Sequence, residues 1–330
     1  MEFQMQEPVL VIGLGGAACR LAIDIKGKLG YDCLLVSHDS RDLNYDTPKI
    51  LINTSPVLNP SSYLIRGVSF SARSSIEENI KKYSTVMIIA NLAGKSGAAL
   101  APVVSQISKE SGKNILSFGI MPFKFEKDRI FFSGVSLKRL KANSDCTVII
   151  DNDALLESNP DITPDVCNTI TNSALLHVLS TLKNSSIPLE TSILSTSKDV
   201  LDVETSLRDS IKMLYEDAPA NSIKSALMYV VGGNKVPVGI LNSMVNTISG
   251  IFGDDSTRVS MSVTAGEKSK VVLLTSIEGE TRFDKYDPLG FIPKENILDW
   301  DEPDASVKID LNLDQIEKLV QRVKKLNYIK

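Results

Sequence analysis

Ile89-Ala90-Asn91-Leu92-Ala93-Gly94-Lys95-Ser96-Gly97-Ala98-Ala99-Leu100-Ala101-Pro102-Val103-Val104 is the stretch on which the reading of the fold turns. The apolar run Thr85 to Ala90 enters it as a strand, the glycines form a turn, and Ala101-Pro102-Val103-Val104 reads as the opening of a helix. Such a turn offers backbone amides to an anion, because the first amides of a helix have no partners within it. Gly94-Lys95-Ser96 also matches the end of a P-loop, but that motif needs a glycine five residues before Gly94, where Ile89 stands.

A second turn of the same kind lies upstream. Val9 to Ala18, V-L-V-I-G-L-G-G-A-A, fits the dinucleotide fingerprint G-x-G-x-x-A, with Asp39 about 20 residues on. A Rossmann NAD(P)-binding oxidoreductase would use this turn and leave the second without a task, so that reading stays as a minor alternative. Further strands at Cys33 to Val36, Ile115 to Gly119 and Thr147 to Ile150 make an α/β fold with a doubly wound parallel sheet. Ligands of such sheets gather at the carboxyl ends of the strands, where both turns lie.

From Thr163-Pro164 a helix runs to about Lys183, with Ile170, Ala174, Leu175, Val178, Leu179 and Leu182 on one face. A strand over Ala226 to Val231, a helix over Pro237 to Phe252 and strands at Thr257 to Val263 and Lys270 to Ser276 then describe a second, smaller α+β domain. An acidic stretch around Trp300 leads to a closing helix bearing Ile316, Leu319, Val320, Val323 and Leu326.

At 330 residues and 43% hydrophobic, the chain suits two cores rather than one. A net charge of −4 without a basic run excludes a bare nucleic-acid binder. The longest apolar stretches, such as Val86 to Ala90, fall far short of the roughly 20 residues a bilayer requires, so no membrane insertion is expected and the chain is read as cytoplasmic. Cys19, Cys33, Cys146 and Cys167 are scattered, and with only His38 and His177 beside them no protein-held metal is expected.

The strand, turn and helix at 89–104 resemble the signature loop of FtsZ, G-G-G-T-G-T-G followed by A-A-P-V-V. Collinear segments extend the resemblance to about Gly279. Val11 to Ala18 is similar to the first glycine-rich loop, Ser37-His38-Asp39-Ser40 to the Asn-Thr-Asp loop, Pro122-Phe123-Lys124-Phe125-Glu126 to P-F-x-F-E, and Asn152-Asp153 to the Pro-Asn-Asp turn. The chain is therefore similar to a divergent FtsZ-like protein of the FtsZ/tubulin superfamily. The resemblance implies a GTP-binding domain at 1–160, a central helix at 161–185, an acidic "synergy" loop with its helix at 186–222, a smaller domain at 223–280 and an acidic segment with a C-terminal helix at 281–330.

It also implies GTP or GDP, with Mg2+ as an accompanying ion, on Gly13, Gly15, Gly16, Ala17, Asp39, Gly94, Lys95, Ser96, Gly97, Ala98, Glu126, Arg129, Asn152 and Asn172. In a head-to-tail filament of copies of itself, or with a related FtsZ-like subunit, the neighbour would complete the site through Asp199 and Asp202 of Ser197-Lys198-Asp199-Val200-Leu201-Asp202. Three apart at a helix start, these carboxylates can project from one face. The implied function is a cytoskeletal GTPase acting in cell division or shape; the alternative is a structural paralogue that assembles without hydrolysis.

Departures and plainer readings stand beside this. Lys95 and Ala99, and Ala17, Ala18 and Cys19, replace glycines, which costs about 1 kcal/mol or more each if the backbone there needs positive φ. Lys95 can instead meet phosphate with its ammonium. Ser173 replaces the carboxylate that reads guanine, and Ile130 stands where Glu126 would find its arginine, with Arg129 one position early. Asp199 and Asp202 can simply stabilise a helix N-terminus with Ser197 as cap, Asp39 can cap its own turn, and His177 can be a hydrogen-bonded core residue.

Overall fold

The computed structural model describes residues 2–182, 187–188, 191–198, 202–252, 258–266 and 269–287. Asp199, the acidic stretch around Trp300 and the expected closing helix lie outside the described residues.

The described elements run β1 (Glu2–Phe3), β2 (Val9–Leu14), α1 (Gly16–Leu29), β3 (Asp32–Ser37), β4 (Lys49–Leu51), α2 (Ser62–Ser69), α3 (Arg73–Ile80), β5 (Thr85–Asn91) and α4 (Lys95–Glu110). They continue as β6 (Asn114–Ile120), α5 (Lys127–Asn143), β7 (Cys146–Ile150), α6 (Asn152–Ser158), α7 (Pro164–Leu182), β8 (Ile187–Pro188) and β9 (Thr191–Thr196). Last come α8 (Val203–Asp217), β10 (Ile223–Val231), α9 (Val238–Phe252), β11 (Arg258–Thr264), β12 (Lys270–Ile277) and a 3-10 turn at Arg282–Tyr286.

One ten-stranded sheet, ordered β11-β10-β12-β9-β7-β6-β5-β2-β3-β4, carries the molecule. From β4 to β7 every pairing is parallel. Alternation along β2 shows why both faces are covered: Val9 and Val11 enter one core, Leu10, Ile12 and Leu14 the other. The first core is closed by α1 and α7, the second by α2 through α5. This is the doubly wound arrangement that the uninterrupted apolar strands predict.

Beyond β7 the sheet continues. β9 lies parallel to β7, pairing Thr147 with Thr191 and Ile150 with Leu194. β12 is antiparallel to β9 and to β10, and β11 is parallel to β10. α8 and α9 fill a third core against these strands. On the opposite face α7 packs its Ala174, Leu175, Val178, Leu179 and Leu182 among Val148 and Ile150 of β7 and Tyr229, Val272 and Leu274 from β10 and β12, while Ile170 of the same stripe packs in a separate small cluster with Phe123 and Met213. His177 is held within this packing, its Nε2 3.2 Å from Thr264 Oγ1 and its ring edge-on to Tyr229. Burial pushes its pKa down, with Lys270 adding to the effect.

The start of α4 differs from the expectation. It begins at Lys95, six residues before Ala101, so Pro102 sits inside the helix and cannot donate to the carbonyl of Ala98. That carbonyl is satisfied from outside, by Arg66 Nη2 at 2.9 Å and Ser136 Oγ at 2.7 Å. An early start frees the amides of Lys95, Ser96 and Gly97 at the sheet edge.

All four cysteines are buried free thiols. Burial pushes Cys19, Cys146 and Cys167 up to about 12, which leaves them neutral core residues.

Candidate phosphate-binding site at the carboxyl edge of the sheet

β2 ends at Leu14 and α1 begins two residues later, with Gly15 between them at φ 80°, a conformation that favours glycine. The Gly15 amide donates to Val36 O at 2.9 Å, tying the turn to β3. A Cβ at Gly13 would meet the Ala18 carbonyl at 2.7 Å and Cys19 Cα at 2.9 Å, so the turn closes tightly over its own helix.

The second turn is built differently. Asn91 accepts twice, its Oδ1 from the Ala93 amide at 3.0 Å and its backbone oxygen from Gly94 at 3.1 Å. Gly94 caps α4 with no side-chain bond, and Gly97 fits only because it has no side chain: a Cβ there would sit 2.1 Å from Asn91 O.

The two turns touch. A Cβ on Gly15 would lie 2.8 Å from Ser96 Cβ and 3.3 Å from the Gly97 amide nitrogen. The N-termini of α1 and α4 therefore meet, each with first-turn amides that have no helical partner. Gly13, Gly15, Gly16, Ala17, Ser96, Gly97 and Ala98 lie at this junction, a candidate phosphate cradle. No non-glycine among the described residues has a positive φ, so the alanines, Cys19 and Lys95 at glycine positions carry no backbone strain.

Side chains join the turns. Ser37 Oγ donates to Asp42 Oδ2 at 2.6 Å and lies 3.3 Å from Ser96 Oγ, which is 2.5 Å from His38 Nδ1. Asp42 stands against the first turn, its Oδ1 2.4 Å from where a Gly16 Cβ would be. Sequence reasoning did not single out Asp42 or the bond between His38 and Ser96, because residues 16 and 42, and 38 and 96, meet only through the fold.

Other expected residues have local tasks. Asp39 caps the turn at Ser40–Leu43 by accepting from the Arg41 amide at 2.9 Å, and its bond to the Arg41 side chain holds its carboxyl down to about 2. Lys95 is exposed and donates to Asn59 Oδ1 at 2.6 Å. Lys95→Ala is accordingly expected to change nucleotide affinity less than about twofold in equilibrium dialysis, and a tenfold loss would return the ammonium to the phosphate. Glu126 pairs with Arg129 Nη1 at 2.7 Å and accepts from the Phe123 amide, so Arg129 supplies the cation missing at Ile130. Asn152 is buried between helices, its Nδ2 2.5 Å from Asn168 Oδ1 and its Oδ1 accepting from Thr171 at 2.7 Å. Asn172 is partly buried on α7. Glu126 and Asn152 come directly after β6 and β7, so they lie on the same sheet edge as the cradle.

Asp202 also has a local task. It is exposed and caps α8, accepting from the Glu204 and Thr205 amides and from Thr205 Oγ1 at 2.8 Å; that hydroxyl is the main cause holding its carboxyl below the usual range. Ser197 is buried and bonded to Ser206 rather than serving as the cap. Because β9 is parallel to β7, the chain leaves β9 for α8 at the carboxyl edge of the sheet, the edge that holds the cradle. A return strand, β9, therefore separates the central helix from the acidic segment.

Among the described residues no three His, Cys, Asp or Glu side chains converge as a metal site. A magnesium ion binds through one or two carboxylates, waters and substrate phosphates, so it needs no such cluster.

Residues 68–160, from α2 through α6 and including the second turn, match the family model described as "Tubulin/FtsZ family, GTPase domain". Over 162 residues the chain is 28% identical to a protein named cell division protein FtsZ 2 from Methanocaldococcus jannaschii, a match over 47% of this chain and 43% of that protein. By these matches the chain is similar to proteins of the FtsZ/tubulin superfamily. Its fold agrees with solved structures. CetZ from Methanosaeta thermophila superposes with a TM-score of 0.67 at 14% identity, covering 98% of this chain and 99% of that one. An FtsZ dimer from M. jannaschii gives 0.63 at 19% identity, over 82% and 88%. The stretch matched by sequence thus spans less than half the length of the first curated relatives. In this FtsZ-like chain no helix among the described residues is long and apolar enough to cross a membrane.

Proposed function

We propose that this FtsZ-like chain binds GTP or GDP on the joined turns and assembles with copies of itself, or with a related FtsZ-like subunit, into filaments that hydrolyse GTP slowly or not at all. The contact between Gly15 and the Ser96-Gly97 amides carries the reading, because it unites two sets of unpartnered amides in one cradle. An NAD-type site needs only one such turn. Structures of similar fold solved as an FtsZ dimer from M. jannaschii and as a protofilament of CetZ2 from Haloferax volcanii support assembly.

The position of Asp202 favours the non-hydrolysing alternative. In a head-to-tail contact the neighbour approaches the cradle with its opposite edge, and Asp202 stands on the cradle's own edge. A division into a GTP-binding part and a smaller part, a cytoplasmic location, Mg2+ held chiefly by the nucleotide, and a role in cell division or shape belong to the same proposal.

Pelleting with GTP or GDP and measuring phosphate in the same samples tests it. Polymer with little release is expected, and Asp202→Ala should leave release unchanged while costing about 1 kcal/mol of stability as a lost cap. Brisk release that Asp202→Ala abolishes would overturn the reading, and nicotinamide binding without polymer would replace it with the oxidoreductase.

A further inference from the structure

We propose that His38 is a positioning residue that aims the Ser96 hydroxyl at a bound phosphate. The inference rests on the nucleotide reading above and assigns a residue to the cradle that its backbone alone does not identify. The argument is a proton inventory. Asp42 can only accept, so Ser37 spends its single proton on Asp42, across 2.6 Å. Ser37 Oγ is thereby an acceptor toward its other neighbours, the Asp39 amide at 3.2 Å and Ser96 Oγ at 3.3 Å. Ser96 has one proton, and its oxygen is also 2.5 Å from His38 Nδ1.

If Nδ1 is bare, Ser96 donates to the imidazole and its contact with Ser37 has no proton. If Nδ1 carries the proton, His38 donates to Ser96, Ser96 to Ser37 and Ser37 to Asp42, and all three contacts become hydrogen bonds. The second arrangement satisfies more of this largely buried network, since Ser37 and Ser96 are only 0% and 6% exposed. It also leaves the Ser96 proton free of the imidazole. When an anion settles on the first-turn amides of α4, that proton can swing from Ser37 to a phosphate oxygen while His38 continues to support the oxygen behind it. With a bare Nδ1, binding phosphate through Ser96 would break the bond to His38. Nε2 of His38 makes no hydrogen bond among the described residues, so Ser96 is what fixes the ring.

Asparagine places an N–H near the position of Nδ1, whereas aspartate of the same shape places an acceptor there and leucine neither. Titration calorimetry with GTPγS, and with GDP as a second probe, is therefore run on the parent, His38→Asn, His38→Asp, His38→Leu and Ser96→Ala. His38→Leu and His38→Asp are expected to weaken GTPγS binding about five- to tenfold, the worth of one phosphate hydrogen bond, with His38→Asn within about twofold of the parent. The double variant with Ser96→Ala should lose no more than Ser96→Ala alone, since both remove the same bond. Should the leucine variant fail to fold, the Asn and Asp pair decides. Equal affinity in parent, Asn and Asp variants, or an Asn variant as weak as Asp, overturns the role of the donor. A parent that binds neither probe instead overturns the nucleotide reading, and this inference with it.

Discussion

Arg282→Met is expected to lose about 3–5 kcal/mol of folding stability at neutral pH. The guanidinium is 17% exposed and bonds Asp151 of β7's carboxyl end, while its Nε stands 3.0 Å from Asp217 Oδ1 at the end of α8, near but poorly aligned. Both carboxylates are buried to 0% side-chain exposure. Asp153 and Glu216 are more distant, at 3.8 and 4.0 Å. Removing the one buried cation leaves two acids without compensation, and the segment Thr281–Asp287 loses its anchor between α6 and α8.

The sign of the pH dependence comes from the same burial. Desolvation pushes the Asp151 carboxyl up and Asp217 well above its ordinary value, Asp217 further still because Asp151 is beside it. The folded state therefore binds these protons more tightly than the unfolded chain, so their contribution is complete below the ordinary carboxyl range near pH 4 and is lost as pH rises through the elevated folded values. Without Arg282 the charge that opposes the rise at both acids is gone. The deficit of Arg282→Met should consequently be smaller at pH 5 than at pH 8, by urea midpoints at each pH. Equal deficits would show that the acids do not hold protons in the fold.

Gly97→Ala should weaken GTP or GDP binding by at least about tenfold and cost roughly 1–3 kcal/mol of stability, because the new methyl would press into the Asn91 carbonyl at 2.1 Å, which is backbone and cannot rotate away. Either α4 shifts off the first turn or β5 gives at its end, and both open the cradle. Gly94→Ala is the control: at φ −85° its Cβ would make an ordinary contact of 3.4 Å, so stability and affinity should hardly change. Calorimetric binding and thermal melting on both variants check this. Equal losses at the two glycines would mean that the turn responds to any side chain and that the Asn91 contact is not the reason.

Much of the fold was legible because its signals are local. Apolar runs of strand length, separated by helical stripes, identify β2, β5, β6 and β7, and the stripe on Ala174, Leu175, Val178, Leu179 and Leu182 identifies α7 with its burial. Helices α2, α3 and α5 went unread, since α2 and α3 are only eight residues long and α5 carries a weak apolar stripe. The start of α4 was misplaced because proline reads as a first-turn residue, and only Arg66 and Ser136, distant in sequence, make it tolerable within the helix.

For the site, the sequence alone determined two amide-rich turns at strand ends, since glycine spacing before a helix is a property of the backbone and needs no knowledge of distant partners. Tertiary structure decided what those turns do together. It brought Ser96 against Gly15 and His38, gave Asp42 to the first turn, and put Asp202 on the cradle's own edge. None of this can be read from spacing, because the direction of β9 is set by hydrogen bonds to β7, a strand separated from it by two helices, and a carboxylate's reach depends on which end of the sheet its strand arrives at.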